Sequence, residues 1–143
     1  METGRDLSPA QYRDLAEFRR QIRRFLYFSE MTAKEQSLEP KQHQLLLALY
    51  GLPEDVKPTI GELASRLFIQ HHSAVELVNR LANAGLVIRQ SSAEDKREVL
   101  VAPTASGRAS LRRLSLAHRE ELERSGPELA RSLNAVLRHA GVK

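Results

Sequence analysis

The sequence predicts a mostly α-helical chain of the α+β class, with one small β-hairpin in its second half. Three observations support this class. Long segments near both ends repeat apolar residues at the helical period and start at capping residues. Two shorter helical patterns follow each other near the middle of the chain. After Gly85 the apolar period changes from helical to two, which is typical of strands.

The first predicted helix covers residues 8–37 and is long for a chain of 143 residues. Ser8 followed by Pro9 is typical of a helix start, because serine caps free amides and proline fits the first helical position. No helix breaker follows, and arginines alternate with apolar residues. We expect this apolar surface to need a partner beyond the local core. The apolar residues are Leu15, Phe18, Ile22, Phe25, Leu26 and Phe28.

A second helix is predicted to begin at Glu39-Pro40 and to end at Gly51. It contains four leucines and Tyr50 and is apolar nearly all round, so we place it at the centre of the core.

Two short helices then follow in close succession. Thr59 and Glu62 have the spacing of a capping box, in which Thr59 caps the helix and Glu62 reaches back to the Thr59 amide. The next helix covers residues 71–84, and Gly85 stops it in the left-handed conformation. Its predicted core face consists of Ala74, Leu77, Val78 and Leu81.

The change of period predicts a hairpin, in which Leu86, Ile88, Val99 and Val101 alternate with more polar neighbours around a charged tip. Thr104 is the expected cap of a further long helix. We expect the run 125–127 (Ser-Gly-Pro) to break that helix, and a last amphipathic helix to follow.

This order of elements is typical of a winged helix-turn-helix, whose second helix enters the major groove of DNA. The face of that helix opposite the core stripe should then carry hydrogen-bonding side chains. A solvated helix face is the simpler alternative, but the succession of helix, turn, polar-faced helix and hairpin favours DNA binding. The polar face holds His72, Glu76, Asn79 and Asn83, flanked by Ser73 and Arg80.

The predicted tip of the wing carries Asp95, Lys96 and Arg97. Arg97 suits the negative potential of a narrow minor groove, and Asp95 would bond to the turn backbone or orient Arg97. A solvated turn is the alternative. His71 is a candidate phosphate contact or a neighbour of the helix cap.

Composition excludes several other classes. The chain has 22 Lys and Arg against 18 Asp and Glu and no cysteine, so it is mildly basic and has no thiol chemistry. We find no signal peptide and no apolar membrane span, and we expect a soluble cytoplasmic protein. No catalytic motif, no cofactor motif and no metal-ligand spacing is present, so an enzyme is not expected.

These motifs resemble the multiple antibiotic resistance regulator (MarR) family from about Glu39 to Leu114. Pro103, where the family usually has leucine, is a departure that affects the end of the second wing strand. The matching segments are 59–64, 72–81, 85–89 and 95–97, with Thr104 and Gly107.

The resemblance implies one MarR-like domain over residues 1–143 and a homodimeric bacterial transcriptional regulator, expected to be a repressor of a pseudo-palindromic site. Residues 8–37 and 104–143 would form dimerisation helices, and residues 40–102 the DNA-binding lobe. The matching major-groove contacts are His72, Ser73, Asn79 and Arg80, with Arg97 in the minor groove.

The family also implies a small aromatic or anionic effector that releases the DNA. Plain core packing is the alternative role for the candidate contacts. The alternative function is a winged-helix adaptor that binds a ligand or a protein without reading DNA. The candidate effector contacts are Tyr27, Phe28, Met31, His43 and Leu47.

Overall fold

The computed structural model describes residues 6–139, and the predicted mostly helical class with a two-stranded sheet is confirmed. The elements in chain order are α1 (Pro9–Glu35), α2 (Pro40–Tyr50), α3 (Ile60–Leu67), α4 (His71–Asn83), β1 (Val87–Ser91), β2 (Val99–Pro103) and α5 (Ala105–His139).

The described residues group into two compact units. The central unit is Thr32–Leu116, and the terminal unit combines the residues up to Met31 with those from Ala117 onward. Within residues 6–138, every buried hydrophobic side chain lies between Ala33 and Leu114 and therefore belongs to the central unit. The apolar core thus lies in the unit that contains α3, α4 and the hairpin of β1 and β2.

Three predicted caps are present at the expected residues. Ser8 Oγ accepts the Gln11 N–H at 3.2 Å, and Gln11 Oε1 accepts the Ser8 N–H at 2.8 Å. Thr104 Oγ1 accepts the Gly107 N–H at 3.0 Å. Gly85 has a φ of 77°, and the Leu86 N–H donates to the Leu81 carbonyl at 2.9 Å, which closes α4 as predicted.

The capping box at Thr59 is only half formed, so that prediction was partly wrong. Thr59 Oγ1 accepts the Glu62 N–H at 3.0 Å, as expected. The Glu62 carboxylate does not reach back, because it pairs with Arg66 Nε at 2.9 Å on the next turn. The Thr59 N–H donates instead to the Lys57 carbonyl at 2.9 Å.

The hairpin is antiparallel and pairs Val87 with Pro103 and Arg89 with Val101. The predicted alternation grouped Ile88 with the apolar face of the hairpin, and this was wrong. Val87 is buried, whereas Ile88 is 45% exposed. Because Leu86, Val87 and Ile88 are all apolar, the sequence does not show which of them begins the alternation of buried and exposed side chains. The Val101 N–H also donates to the Pro58 carbonyl at 2.9 Å, which ties β2 to the start of α3.

The predicted break at residues 125–127 was also wrong, since α5 continues through Pro127. Proline fits the helical φ, but it lacks the amide that would bond to the Glu123 carbonyl, and its ring crowds that carbonyl. The turn before it is held by Ser125 Oγ, which donates to the Glu121 carbonyl at 2.9 Å. The hydrogen bonds of the flanking turns therefore outweigh the cost of the proline.

The prediction that α2 is buried all round holds for one face only. Leu45, Leu46 and Leu49 are buried, whereas Leu47 and Tyr50 are 51% and 56% exposed. The exposed face lies beside the first turns of α5 and borders a cavity there.

Candidate nucleic-acid interface

Helix α4 packs one face into the core and presents the other to solvent. Its buried residues are the predicted Ala74, Leu77, Val78 and Leu81. On the opposite side His71, His72, Glu76 and Asn83 are exposed, and Asn79 is half-buried. A helix with this division can place polar side chains against the base edges of a major groove.

Asn79 lies on the side of α4 that faces the wing. Its Oδ1 accepts a hydrogen bond from Arg89 Nη1 of β1 at 2.6 Å. This bond fixes which way the amide points, because a carbonyl oxygen engaged by a cation leaves the NH2 group as the free end. Sequence reasoning selected Asn79 but missed Arg89.

Arg80 and Ser73 lie on the other flank, towards the start of α2. Arg80 Nη1 is 3.2 Å from Glu39 Oε2, and both side chains are about half exposed. Ser73 borders a small cavity of about 160 Å³ together with Lys41 and Arg80. An exposed ion pair of this kind is weak and exchanges readily, so Arg80 can turn from Glu39 to a base or a phosphate.

The wing tip is held by Asp95. Its Oδ1 accepts the Arg97 N–H at 3.0 Å and lies 3.6 Å from Arg97 Nε. The Arg97 side chain is nonetheless 94% exposed, and Lys96 beside it is exposed as well. Asp95 therefore shapes the turn and leaves two cations facing solvent.

The base of the wing is joined to the loop before α3 by Lys57. Its Nζ lies 2.9 Å from Glu94 Oε2 and 3.4 Å from Glu98 Oε1. Hydrogen bonding by Glu94 and then by Glu98 raises the pKa of Lys57, and the bond from Lys57 lowers the pKa of Glu94. Lys57 thus offsets one of the two negative charges that would otherwise repel DNA at this place.

The five candidate effector contacts are divided between the two units. In the terminal unit Tyr27 and Met31 are exposed, whereas Phe28 packs edge-on against His118 with ring centroids 5.4 Å apart. In the central unit His43 is buried and Leu47 is exposed.

Leu47 borders a largely apolar cavity of about 460 Å³ between the end of α2 and the start of α5. Tyr50 lines the cavity beside it, and Arg108 and Arg112 supply positive charge. Sequence reasoning missed these two arginines, because nothing local distinguishes them from other charged positions of a long helix.

No helix within residues 6–139 is long and apolar enough to cross a membrane. No group of three or more histidine, aspartate or glutamate side chains in this part of the chain is placed to hold a metal ion.

Comparison with known proteins shows which family and which solved structures this chain resembles. A model of the MarR family matches residues 36–98. Among solved structures, AbsC, a MarR family transcriptional regulator from Streptomyces coelicolor, is similar with a TM-score of 0.75 at 19% identity, over 96% of this chain and 95% of AbsC. No curated protein sequence matches the chain.

Two similar structures carry ligands. The transcriptional repressor CouR bound to a 23-mer DNA duplex has a TM-score of 0.67 at 25% identity, over 86% of this chain and 88% of CouR. CouR from Rhodococcus jostii bound to p-coumaroyl-CoA has a TM-score of 0.69 at 22% identity, over 82% and 81%. The MarR family model thus matches residues 36–98, and the described chain has the same winged helix fold as the MarR family structures to which it is similar.

Proposed function

We propose that the chain is a homodimeric, non-enzymatic transcriptional regulator that represses by occupying a pseudo-palindromic DNA site in the bacterial cytoplasm. One observation carries the proposal: the exposed polar face of α4 stands beside a wing tip with two exposed cations, Lys96 and Arg97. A helix for the major groove and a cationic tip for the minor groove are thus present on one lobe. The DNA-bound structure of CouR supports the same use of this fold.

The dimer is supported by the surface of the terminal unit. Several of its large apolar side chains are exposed in the single chain, including Leu15, Leu26, Leu122 and Leu133. A second copy would cover them, and because 40–48% of each leucine is exposed, each would contribute on the order of 1 kcal/mol. We therefore propose residues 8–37 and 104–143 as dimerisation helices and residues 40–102 as the DNA-binding lobe of one domain spanning residues 1–143.

Within the lobe we propose separate roles for reading bases and holding the backbone. His72, Ser73, Glu76, Asn79 and Arg80 would meet base edges in the major groove. Glu76 can only accept hydrogen bonds, so it would require an exocyclic amine such as cytosine N4. The remaining contacts would be His71 on a phosphate, Arg97 in the minor groove, Lys96 on the backbone, and Asp95 supporting the turn.

The experiment is selection of genomic DNA fragments by the purified protein, followed by footprinting. We expect two protected half-sites about one helical turn apart. Asn79→Ala should lose discrimination between sites, whereas Arg97→Ala should weaken binding on all sequences. Equal losses on every sequence from Asn79→Ala would contradict its reading role. No enriched fragment at low salt would favour the adaptor function instead.

The dimer has its own test. Leu122→Glu places a charge on the exposed apolar face of α5 and should shift the protein towards monomer in sedimentation equilibrium. Glu123→Gln on the same turn is the control, since Glu123 is an exposed polar residue. An unchanged dimer in Leu122→Glu would contradict the proposed dimerisation face.

We further propose that a small aromatic anion releases the DNA. The 460 Å³ cavity supports this, because it combines an apolar lining with Arg108 and Arg112. Leu47 belongs to it, and Tyr27, Phe28, Met31 and His43 remain proposed contacts. Since CouR is bound to p-coumaroyl-CoA, that compound and p-coumarate are the probes. Release of DNA that Arg112→Ala abolishes and Arg113→Ala retains would support the site, and no release by either probe would count against it.

A further inference from the structure

The proposed docking, on which this inference rests, leaves one strand of DNA unaccounted for. A helix in the major groove and a wing in the adjoining minor groove must straddle the sugar-phosphate strand that separates the two grooves. The space between α4 and the wing therefore has to receive that strand.

The structure has a cleft at this place, with a volume of about 410 Å³. His71 lines it from α4, Arg89 from β1 and Arg97 from the wing tip. Three elements thus direct basic side chains towards one space, which is the chemistry that binds a phosphate group. The first turn of α3, residues 59–61, forms another wall, and its amide dipoles favour an anion there.

One acid also lines the cleft. Glu98 is half-buried there, and its carboxylate lies 3.4 Å from Lys57 Nζ, which it shares with Glu94, so its charge is offset in part. The balance of the cleft therefore stays positive through its two arginines, with His71 beside them.

We propose that this cleft seats one phosphate group of the DNA backbone in each half-site, with Arg89 as its central ligand. A guanidinium carries five N–H donors. One of them is used on Asn79 Oδ1 at 2.6 Å. The others remain for phosphate oxygens, so Arg89 can hold the backbone and the reading side chain at the same time.

This double contact sets what Asn79 can read. Bidentate pairing with adenine needs both the amide oxygen and the NH2 group of an asparagine. Because Arg89 takes up one lone pair of that oxygen and turns it towards the wing, the NH2 group is the freer end of Asn79. Asn79 then favours a base with an acceptor, such as O6 of guanine or O4 of thymine. Arg89 is thus a positioning residue for base choice as well as a phosphate ligand.

The test is a scan of the selected DNA site with single methylphosphonate linkages, each of which removes one phosphate charge. Wild type should lose affinity at one linkage in each half-site, and Arg89→Ala should lose nothing further at that linkage. On unmodified DNA, Arg89→Ala should bind roughly tenfold more weakly and lower the salt dependence by about one phosphate contact. Arg113→Ala is the matched control, since it removes an exposed arginine that bonds to Gln36 and does not line the cleft.

Arg89→Lys separates the two roles. It keeps the charge but loses the planar fork of donors, so it should retain most of the salt dependence and relax the choice of base opposite Asn79. Unchanged discrimination in Arg89→Lys would overturn the positioning role.

The remaining outcomes are distinguishable. The protein could bind its site and yet show no linkage whose effect depends on Arg89. The proposed phosphate contact in the cleft would then be wrong, and the proposed function would stand. Inorganic phosphate could instead bind saturably to the free protein in a way that needs Arg89, while no DNA linkage depends on Arg89. This result would assign the cleft to a free anion and overturn the proposed contact with the DNA backbone. If wild type selects no DNA at all, the proposed function itself fails.

Discussion

The two units of the chain differ in what they bury. In the central unit the covered side chains are mainly aliphatic, such as Leu63, Leu77 and Leu81, each at most 2% exposed. In the terminal unit, over its described residues up to 138, the buried side chains are polar: Gln21, Glu121, Ser125 and Ser132. Leucines of that unit such as Leu26 and Leu122 are exposed instead.

The difference indicates what stabilises each unit. Burial of apolar surface is the main favourable term in folding, so the central unit has its own driving force. The terminal unit exposes apolar surface, which the second copy of the proposed dimer would cover. Its stability should therefore depend on protein concentration, whereas the central unit should be stable by itself.

The largest expected effect comes from a cavity in the central core. Leu81→Ala should lower the free energy of unfolding by about 2–5 kcal/mol, because Leu81 is fully buried and its neighbours relax only partly. Urea denaturation at several protein concentrations measures this loss, which should be nearly the same at each concentration.

Leu122→Ala is the counterpart in the terminal unit, where Leu122 is 41% exposed. It should cost little at high dilution and more where the dimer is populated. If Leu122→Ala were as damaging as Leu81→Ala at all concentrations, the contrast between the units would be wrong.

A steric effect of the next size is expected at Gly107. A Cβ at this position would lie 2.0 Å from the Leu86 carbonyl oxygen, so the first turn of α5 could not stay against the backbone before β1. Gly107→Ala should therefore destabilise the central unit by about 1–3 kcal/mol in thermal or urea unfolding. Gly61→Ala is the control, because its Cβ would meet nothing within 4 Å. Equal stability of both variants would contradict this close approach.

The parts of the fold that the sequence predicted depend on local chemistry. Ser8, Thr104 and Gly85 act on their own helix ends, so a few neighbouring residues suffice to identify them. Pro127 was misread because a local breaker was overruled by the turns on both sides of it. Leu47 and Tyr50 were misread because apolar composition does not reveal which face a neighbouring helix leaves open.

The candidate site divides in the same way. Helical geometry alone separates the polar face of α4 from its core stripe, and Asp95 is recognisable from its turn. Arg89 was missed because its bond to Asn79 joins a strand to a helix ten residues earlier, and only the docking of the wing brings them together. The signal available in the sequence was an arginine on β1, the strand that follows α4.

A smaller effect is expected at Phe68, a large apolar side chain that the central unit leaves exposed. Phe68 is 95% exposed and has a φ of 56° in the turn between α3 and α4. Glycine adopts this left-handed conformation without a Cβ clash, so Phe68→Gly should raise the free energy of unfolding by about 1 kcal/mol. Phe68→Ala removes the ring but keeps the strain and should give no such gain. A gain from alanine as large as that from glycine would assign the effect to the exposed ring.

The smallest effect is expected in the terminal unit and depends on pH. Hydrogen bonds from Arg124 and then from Ser125 lower the pKa of Glu121 below its ordinary value of 4.5. Its contribution to stability is therefore present above that value and is lost as the pH falls through the lowered pKa. Glu121→Gln should lower the melting temperature at pH 7 and lower it by less at pH 3, at one protein concentration.

The exposed Glu123→Gln is the matched control for Glu121, since it removes the same charge from the same turn without a buried partner. A difference between wild type and Glu121→Gln that is equal at pH 7 and pH 3 would show that the carboxylate charge contributes nothing. The buried polar side chains of the terminal unit would then stabilise it without the Glu121 charge. Any loss of stability of this unit in acid would have to arise from dissociation of the proposed dimer.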